Sequence, residues 1–89
     1  MLPKFIIKDF IEKFIVLNGR KADVHIRHFL YGIQRLNGCI LRPFVDEERI
    51  GLIIEDEPRY ITMDELREAS IINNDYCIKS EVMELYIVL

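Results

Sequence analysis

The chain has 89 residues, 51% of them apolar, and a net charge of −3 at pH 7. A chain this short supports one hydrophobic core, so residues 1–89 are expected to form a single domain, and the apolar content excludes a disordered protein. Charged residues interrupt the apolar N-terminal stretch. This excludes a signal peptide or membrane span there and predicts a cytoplasmic protein with no membrane partner.

The charge is divided unevenly along the chain. Residues 1–44 contain eight Lys and Arg against three Asp and Glu, whereas residues 45–89 contain four against twelve. If the two halves stay apart in space, a basic face could bind an anion or meet the acidic side of a neighbouring subunit. The alternative is that the halves pair across one sheet and their charges cancel.

The N-terminal segment has the pattern of an amphipathic helix at about residues 4–18. Apolar residues recur at helical spacing up to Leu17, and the Asn18-Gly19 pair is typical of a left-handed helix end. The apolar face is expected to cover the rest of the domain. As an alternative, Phe10 and Phe14 on that face could dock a partner.

From about residue 21 to residue 89 the pattern becomes that of short strands. Ala22, Val24, Ile26 and Leu30 alternate with other residues, which predicts a strand with one buried face. The Tyr31-Gly32 pair predicts the turn that follows.

The Asn37-Gly38 pair could be a hairpin tip or a bend inside one long strand. We favour the bend, because Tyr31-Gly32 already supplies the turn and because glycine within a strand is a common means of bending it. Gly51 has a similar position in the next run, "RIGLIIE", whose continuous apolar character predicts burial on both faces. The predicted fold class is therefore α+β, an N-terminal helix followed by a small, strongly bent antiparallel β-barrel of about five strands.

The last third of the chain has two further signals. Thr62 and Glu65 have the spacing of a capping box, which predicts a short helical turn near residues 63–69. The C-terminal segment favours a strand, with Tyr86 and Val88 as candidate interface residues, although Ser80 could instead cap a short helix there.

No metal, cofactor or catalytic grouping is predicted, so an enzyme is not expected. His25 and His28 are three residues apart and would point to opposite faces of a strand, so one buried and one exposed ring is expected rather than a metal site. Cys39 and Cys77 have no ligand-spaced neighbour, and two free, mostly buried thiols are predicted.

Basic and aromatic residues concentrate in one part of the chain and form a candidate ligand-binding set. These residues are Arg27, Phe29, Tyr31, Arg35 and Arg42. On the outer face of the first strand, the aromatic rings could stack on a base while the guanidinium groups neutralise its phosphate. The alternative is a solvated face whose aromatic residues cover core edges or meet another subunit.

The stretch "DVHIRHFLYGIQRLNGCILRPFVDEERIGLIIEDEPRYITMDELREASI" resembles the Sm and Hfq-like pattern, in which a helix precedes bent strands of an SH3-like barrel. The resemblance covers roughly residues 5–72. Its matching positions are Gly32, Ile33, Gly38, Ile40, Asp46 and Leu52. The same region is similar in outline to YolD-like proteins.

The Sm-like resemblance implies a helix-capped barrel that assembles into a ring and binds RNA or another anionic ligand. In such rings, polar and basic turns contact the RNA. The corresponding turns here, "VDEER" and "TMDELRE", are acidic and repel phosphate.

These patterns predict a non-enzymatic binding protein that acts through a protein–protein interface and self-associates as a homo-oligomer. An accessory or inhibitory role in bacteria or phages would suit such a compact acidic protein. The alternative is an Sm-like ring that binds a nucleotide or single-stranded nucleic acid through the basic and aromatic set.

Overall fold

A computed structural model describes residues 7–89, which form one helix and eight strands. The helix is α1, Lys8–Ile15. The strands are β1 Lys21–His28, β2 Gly32–Ile40, β3 Pro43–Val45, β4 Arg49–Ile54, β5 Glu57–Thr62, β6 Glu68–Ile72, β7 Asp75–Lys79 and β8 Met83–Val88.

Helix α1 lies over the core with its apolar face inward. Phe10 stacks on Phe14, with ring centroids 5.4 Å apart, and also contacts the ring of Tyr76 at 5.9 Å. The helix ends at Ile15, earlier than the predicted residue 18, and the predicted start at residue 4 lies outside the described residues. Gly19 has the expected left-handed backbone, with φ of +85°, but it ends the turn that follows the helix.

The strands form two antiparallel sheets. The five-stranded sheet has the order β2-β1-β8-β7-β6, and the three-stranded sheet has the order β3-β4-β5. β8 pairs with β1 and β7 of its own chain, so the C-terminal strand of the chain is internal to its sheet.

The prediction of a closed barrel is wrong, although the predicted helix and antiparallel strands are present. Within the described part of the chain, no strand of one sheet pairs with a strand of the other, so the two sheets do not close into a barrel. The chain leaves extended structure at Leu41-Arg42, between β2 and β3, and at residues 63–67, between β5 and β6, and it passes from one sheet to the other at these two places. The two-residue turns Glu55-Asp56 and Asn73-Asn74, which have positive φ between 52° and 69°, join neighbouring strands within a sheet.

Two predicted local structures near the C-terminus take other forms. The predicted helical turn at 63–69 is a shorter turn over residues 63–65, because β6 already begins at Glu68. Thr62 donates its hydroxyl to the Glu65 carboxylate at 3.0 Å, a contact between two side chains rather than a reciprocal capping box. Ser80 caps a turn and not a helix, since its Oγ accepts the N–H of Val82 and of Met83.

The bend at Asn37-Gly38 is confirmed. Ala22 pairs with Cys39 and Val24 with Leu36, so Asp23 alone lies opposite Asn37 and Gly38. This two-against-one arrangement is a β-bulge, which bends β2 without ending it.

A single cluster of buried side chains joins the helix and both sheets. Phe14 from α1, Val24 from β1, Leu52 from β4 and Leu85 from β8 all belong to it and are at most 1% exposed. β4 buries Ile50, Leu52 and Ile54 on one face, but the other face, which was also predicted to be buried, is only partly covered at Arg49 and Ile53. At Gly51 an added Cβ would lie 2.1 Å from the carbonyl oxygen of Arg59. Glycine is therefore needed there for the close approach of β5.

Candidate protein-binding surface

The end of β1, the turn at residues 29–31 and the first half of β2 form a projecting hairpin, which we call the hairpin arm (residues 27–36). Its turn carries three successive large apolar side chains, and Phe29, Leu30 and Tyr31 are 82%, 73% and 84% exposed. The sequence pattern predicted that Leu30 is buried. That prediction is wrong because β1 ends at His28 and the turn extends past the core.

Strand β2 has no buried residue along its nine positions. Its partner β1 buries Val24 and Ile26 in the core, whereas from β2 only Leu36 and Cys39 pack against the core, and both are partly exposed. Ile33 is 65% exposed. A soluble monomer rarely leaves a contiguous apolar patch of this kind uncovered, so this surface is a strong candidate for contact with another molecule.

The turn of the arm is held by specific contacts. The Leu30 N–H donates to His28 Nδ1 at 3.0 Å, and the His28 ring lies 4.5 Å from the ring of Tyr31. The Phe29 N–H donates to the Val82 carbonyl oxygen at 2.8 Å. The exposed side chains are therefore presented by an ordered turn, which reduces the entropy cost of binding.

The two histidines do not divide as predicted. His25 and His28 are both half-buried, rather than one buried and one exposed. The reason is that β1 has neighbours on both sides, β2 and β8, which partly cover side chains on either face.

Four of the five predicted ligand-binding residues lie on the hairpin arm, but the fifth does not. Arg42 follows β2 at the opposite end of that strand, and its guanidinium lies 3.7 Å from the Asp56 carboxylate. The hollow next to Arg27 and Phe29 has a volume of about 120 Å³ and is also lined by Glu81 and Glu84. It is smaller than typical ligand pockets, and its carboxylates disfavour a phosphate.

The predicted interface residues are not on an open surface. Phe10 and Phe14 lie in the core, 6% and 0% exposed, so the helix acts as a cover and these two rings are not available to a partner. Tyr86 and Val88 are half-buried on β8, in the middle of the five-stranded sheet. The Tyr86 hydroxyl donates to the Glu84 carboxylate of the same strand.

The acidic turn after β3 has a structural role. Asp46 Oδ1 accepts the backbone N–H groups of Glu48 and Arg49 at 2.8 and 2.7 Å. These hydrogen bonds, together with the Arg49 guanidinium 3.2 Å away, hold the pKa of the Asp46 carboxyl below its usual value. Arg49 also lies over the rings of Phe44 and Tyr60.

A polar cluster on the outer face of the five-stranded sheet could not be found from residue spacing, because it depends on strand pairing. Ser70 pairs with Cys77, and Cys77 pairs with Tyr86. Cys77 is only 6% exposed, and burial raises the pKa of its thiol to about 11. The thiol is therefore protonated at neutral pH and is a poor nucleophile in this state.

Other kinds of site have no support in the described part of the chain. Residues 7–89 contain no group of three His, Cys, Asp or Glu side chains placed to hold a metal ion. No helix in that range is long and apolar enough to cross a membrane. Cys39 and Cys77 are both free, as predicted, with Cys39 only partly covered.

The chain matches no protein-family model, curated protein or solved structure. The similarity to the Sm and Hfq-like pattern and to YolD-like proteins stays a prediction from the sequence. The candidate surface is therefore defined by its own geometry, which makes it a protruding, ordered and largely apolar hairpin.

Proposed function

We propose that this chain is a non-enzymatic binding protein that acts through a protein–protein interface on the hairpin arm. The observation that carries the proposal is the exposure of Phe29, Leu30 and Tyr31 on an ordered turn next to a strand with no buried residue. Aromatic side chains on a rigid support are the residues that contribute most to protein interfaces. An accessory or inhibitory role fits a protein that works by covering a surface of its partner.

The three apolar side chains at the tip of the arm are mostly exposed, so the partner is expected to supply a groove or pocket for them. Burying them would remove on the order of 500 Å² of surface from water, at about 150–250 Å² for each of the two aromatic rings and the rest for Leu30. That area is below the roughly 800 Å² per partner of a typical stable interface. Residues next to the tip, such as Ile33 and Arg35, are therefore expected to belong to the same interface.

The alternative proposal is a ring that binds a nucleotide or single-stranded nucleic acid. Arg27, Phe29, Tyr31 and Arg35 lie together on the arm, which favours it, but Arg42 is remote and Glu84 lies opposite Arg27 across the strand pair. Fluorescence anisotropy with labelled DNA and RNA 12-mers tests this alternative directly. Binding that is lost on Arg27→Glu and Arg35→Glu substitution would favour nucleic acid over protein.

Site-specific photocrosslinking tests the protein-binding proposal. A photoreactive amino acid replaces Leu30 at the tip, and in a matched control it replaces Val16, which is equally exposed but lies beside the helix. After irradiation in the producing cells, we expect a discrete adduct from position 30 and none from position 16. Mass spectrometry of the adduct identifies the partner.

Competition decides whether the adduct is specific. Excess unlabelled wild-type protein is expected to suppress the adduct, whereas a variant with Phe29, Leu30 and Tyr31 all replaced by Ser is not. Equal crosslinking from both positions, or equal competition by both proteins, would contradict an interface on the arm.

A further inference from the structure

We propose that the outer edge of β2, beside which no strand lies among residues 7–89, accepts an extended, acidic segment of the partner protein as an added strand. This inference rests on the proposed protein-binding function and names the chemistry of the partner. The added segment would become the sixth strand of the five-stranded sheet, next to β2. Main-chain hydrogen bonds would give affinity, and side chains facing the arm would give specificity.

The other strands at sheet ends are short or protected. β3 has only three residues and contacts α1, and β6 also contacts α1. β5 contains Pro58 between Glu57 and Arg59, and proline and charge both discourage strand addition. β2 has one charged residue, Arg35, and no proline.

The bulge limits the available edge to the first half of β2. Pairing with β1 is regular from Gly32 to Leu36 and then shifts at Asn37-Gly38. Five residues of regular strand span about 17 Å, which is enough to pair with a short extended peptide.

The hydrogen bond from Phe29 to Val82 sets the direction of the backbone groups in β1. It shows that the Phe29 N–H points towards the β8 side of the strand. Backbone groups of alternate residues in an antiparallel strand point the same way. The N–H and C=O groups of Arg27 therefore also point towards β8, while those of His28 and Ile26 point towards β2.

The same alternation identifies the free groups of β2. Gly32 and Gln34 pair with His28 and Ile26, so their N–H and C=O groups point into the sheet. The N–H and C=O groups of Ile33 and Arg35 therefore point outward along the free edge. These four groups are the expected hydrogen-bonding partners of the added strand.

The charge of this edge favours an acidic segment. Arg35 makes no ion pair with any residue from 7 to 89, and it lies across from His25 rather than from a carboxylate. Arg27 lies on the same face of the sheet, but Glu84 of β8 already lies opposite it, so Arg35 is the residue that sets the preference. A carboxylate opposite Arg35 would gain a cross-strand charge pair, whereas a lysine there would be repelled.

The pairing geometry gives the order of the side chains in the partner segment. Residues opposite Ile33 and Arg35 lie two apart, and in an antiparallel strand the one facing Arg35 comes first. The preferred sequence is therefore Asp or Glu, then any residue, then an aliphatic or aromatic residue that covers Ile33. Further apolar residues after it would lie beside the tip of the arm.

A second copy of this chain is a weaker occupant of the same edge. Antiparallel pairing of two β2 strands with Ile33 opposite Arg35 of the second copy would bring both Arg35 side chains near each other, and their charges would repel. Pairing with Ile33 opposite Ile33 avoids this repulsion but leaves each Arg35 without a carboxylate, because the arm contains no Asp or Glu. An acidic partner segment supplies that carboxylate.

Amide hydrogen exchange by NMR, with two synthetic heptapeptides as probes, tests the inference. Both peptides alternate threonine with a variable position, and one carries glutamate followed two residues later by valine. The control peptide has lysine in place of the glutamate. In the free protein, the Ile33 and Arg35 amides are expected to exchange fast, and the Gln34 amide slowly.

The peptide that contains glutamate, at millimolar concentration, is expected to slow amide exchange at Ile33 and Arg35 and to leave exchange at Gln34 unchanged. The peptide that contains lysine is expected to bind more weakly. The Arg35→Glu variant, whose exposed site leaves the fold intact, should reverse the preference, with a change of about fivefold for each peptide. Circular dichroism of the variant checks that fold.

Three results would overturn the inference. Equal affinity for the two peptides would contradict the preference for an acidic segment. Peptide binding that does not slow amide exchange at Ile33 and Arg35 would contradict strand addition. If the protein is a dimer and the Ile33 and Arg35 amides already exchange slowly without peptide, the edge is occupied by a second copy of the chain. None of these depends on the photocrosslinking result at Leu30, so a failure of the added strand can be told apart from a failure of the arm as an interface.

Discussion

The carboxylate of Asp23 accepts a hydrogen bond from the backbone N–H of Gly38, with Oδ1 2.9 Å from the nitrogen. This contact closes the bulge, and Gly38 adopts a left-handed backbone with φ of +64°. A residue with a Cβ is strained there, so Gly38→Ala is expected to lower the free energy of unfolding by about 1 kcal/mol. Asp23→Ala is expected to cost about 1 kcal/mol through the lost hydrogen bond.

Urea denaturation of the two single variants and the double variant measures both effects. Because the hydrogen bond depends on the bulge, the double variant should lose less than the sum of the single losses. Strict additivity would mean that Asp23 does not stabilise the bulge.

Replacement of Gly51 by Ala is expected to be far more damaging. The added Cβ would lie 2.1 Å from the Arg59 carbonyl oxygen and 2.6 Å from the Tyr60 Cα, so two backbones must separate. We expect a loss of more than about 3 kcal/mol, or no folded protein at all. Gly19→Ala is the matched control, since nothing lies within 4 Å of its added Cβ and only the left-handed backbone costs about 1 kcal/mol. Similar thermal midpoints for the two variants would contradict this close packing of β4 and β5.

The helix covers the core, so a buried position within the helix and the exposed position directly after it should respond differently to truncation. Phe14→Ala is expected to cost about 3–5 kcal/mol, because the ring is fully buried. Val16→Ala should change the free energy of unfolding by no more than about 0.5 kcal/mol, because that side chain is mostly exposed. Chemical denaturation gives both values. A folded, stable Phe14→Ala protein that only loses assembly would show instead that the helix face is an interface.

The apolar tip of the arm is expected to contribute little to stability. Replacing Phe29, Leu30 and Tyr31 together by Ser should leave the free energy of unfolding within about 1 kcal/mol of the wild type, because these side chains are already in water. The contact between the rings of His28 and Tyr31 is the main one that is lost. Differential scanning calorimetry measures the change. A large loss of stability would show that the tip side chains stabilise the fold instead of serving only for binding.

The buried thiol of Cys77 predicts a loss of stability at alkaline pH. The folded state raises the pKa of Cys77 to about 11 from 9.0, so above pH 9 the unfolded state releases its proton first and unfolding becomes more favourable. The loss should grow from about pH 9 to about pH 11 and reach on the order of 2 kcal/mol. Tyr86, whose hydroxyl donates to Glu84 and whose pKa is also raised, adds a loss of the same sign.

Two variants separate these contributions in denaturation curves at pH 8 and pH 10.5. Cys77→Ala is expected to lose part of the pH dependence, and Cys39→Ser should keep most of it because Cys39 is less buried. An unchanged pH dependence in Cys77→Ala would show that its thiol does not titrate with folding.

Local patterns in the sequence predicted the helix face, the buried face of β1 and the bend at Gly38. Each depends on near neighbours in the chain, such as the alternation at Val24 and Ile26. Whether the strands would close into a barrel could not be predicted in this way. Alternation tells which face of a strand is buried but not which strand edges pair. The chain passes from one sheet to the other at Leu41-Arg42 and at residues 63–67, where it leaves extended structure.

The hairpin arm illustrates the same limit at the candidate site. Phe29 and Tyr31 were expected on an outer face, but the pattern at Leu30 continued the buried series of β1 past the point where the core ends. Cys77 is buried as predicted, but it lies on the outer face of the sheet, where the pairing of β7 with two neighbouring strands covers it. Burial at both positions depends on the whole assembly of strands.

The uncovered edge of β2 also bears on how much of this protein a cell can hold. Unpaired strand edges with little charge are sites at which chains aggregate, and the rate of aggregation rises with concentration. If this edge binds a partner strand as proposed, synthesis in excess of that partner should increase the share of insoluble protein, and production together with the partner should keep the protein in solution.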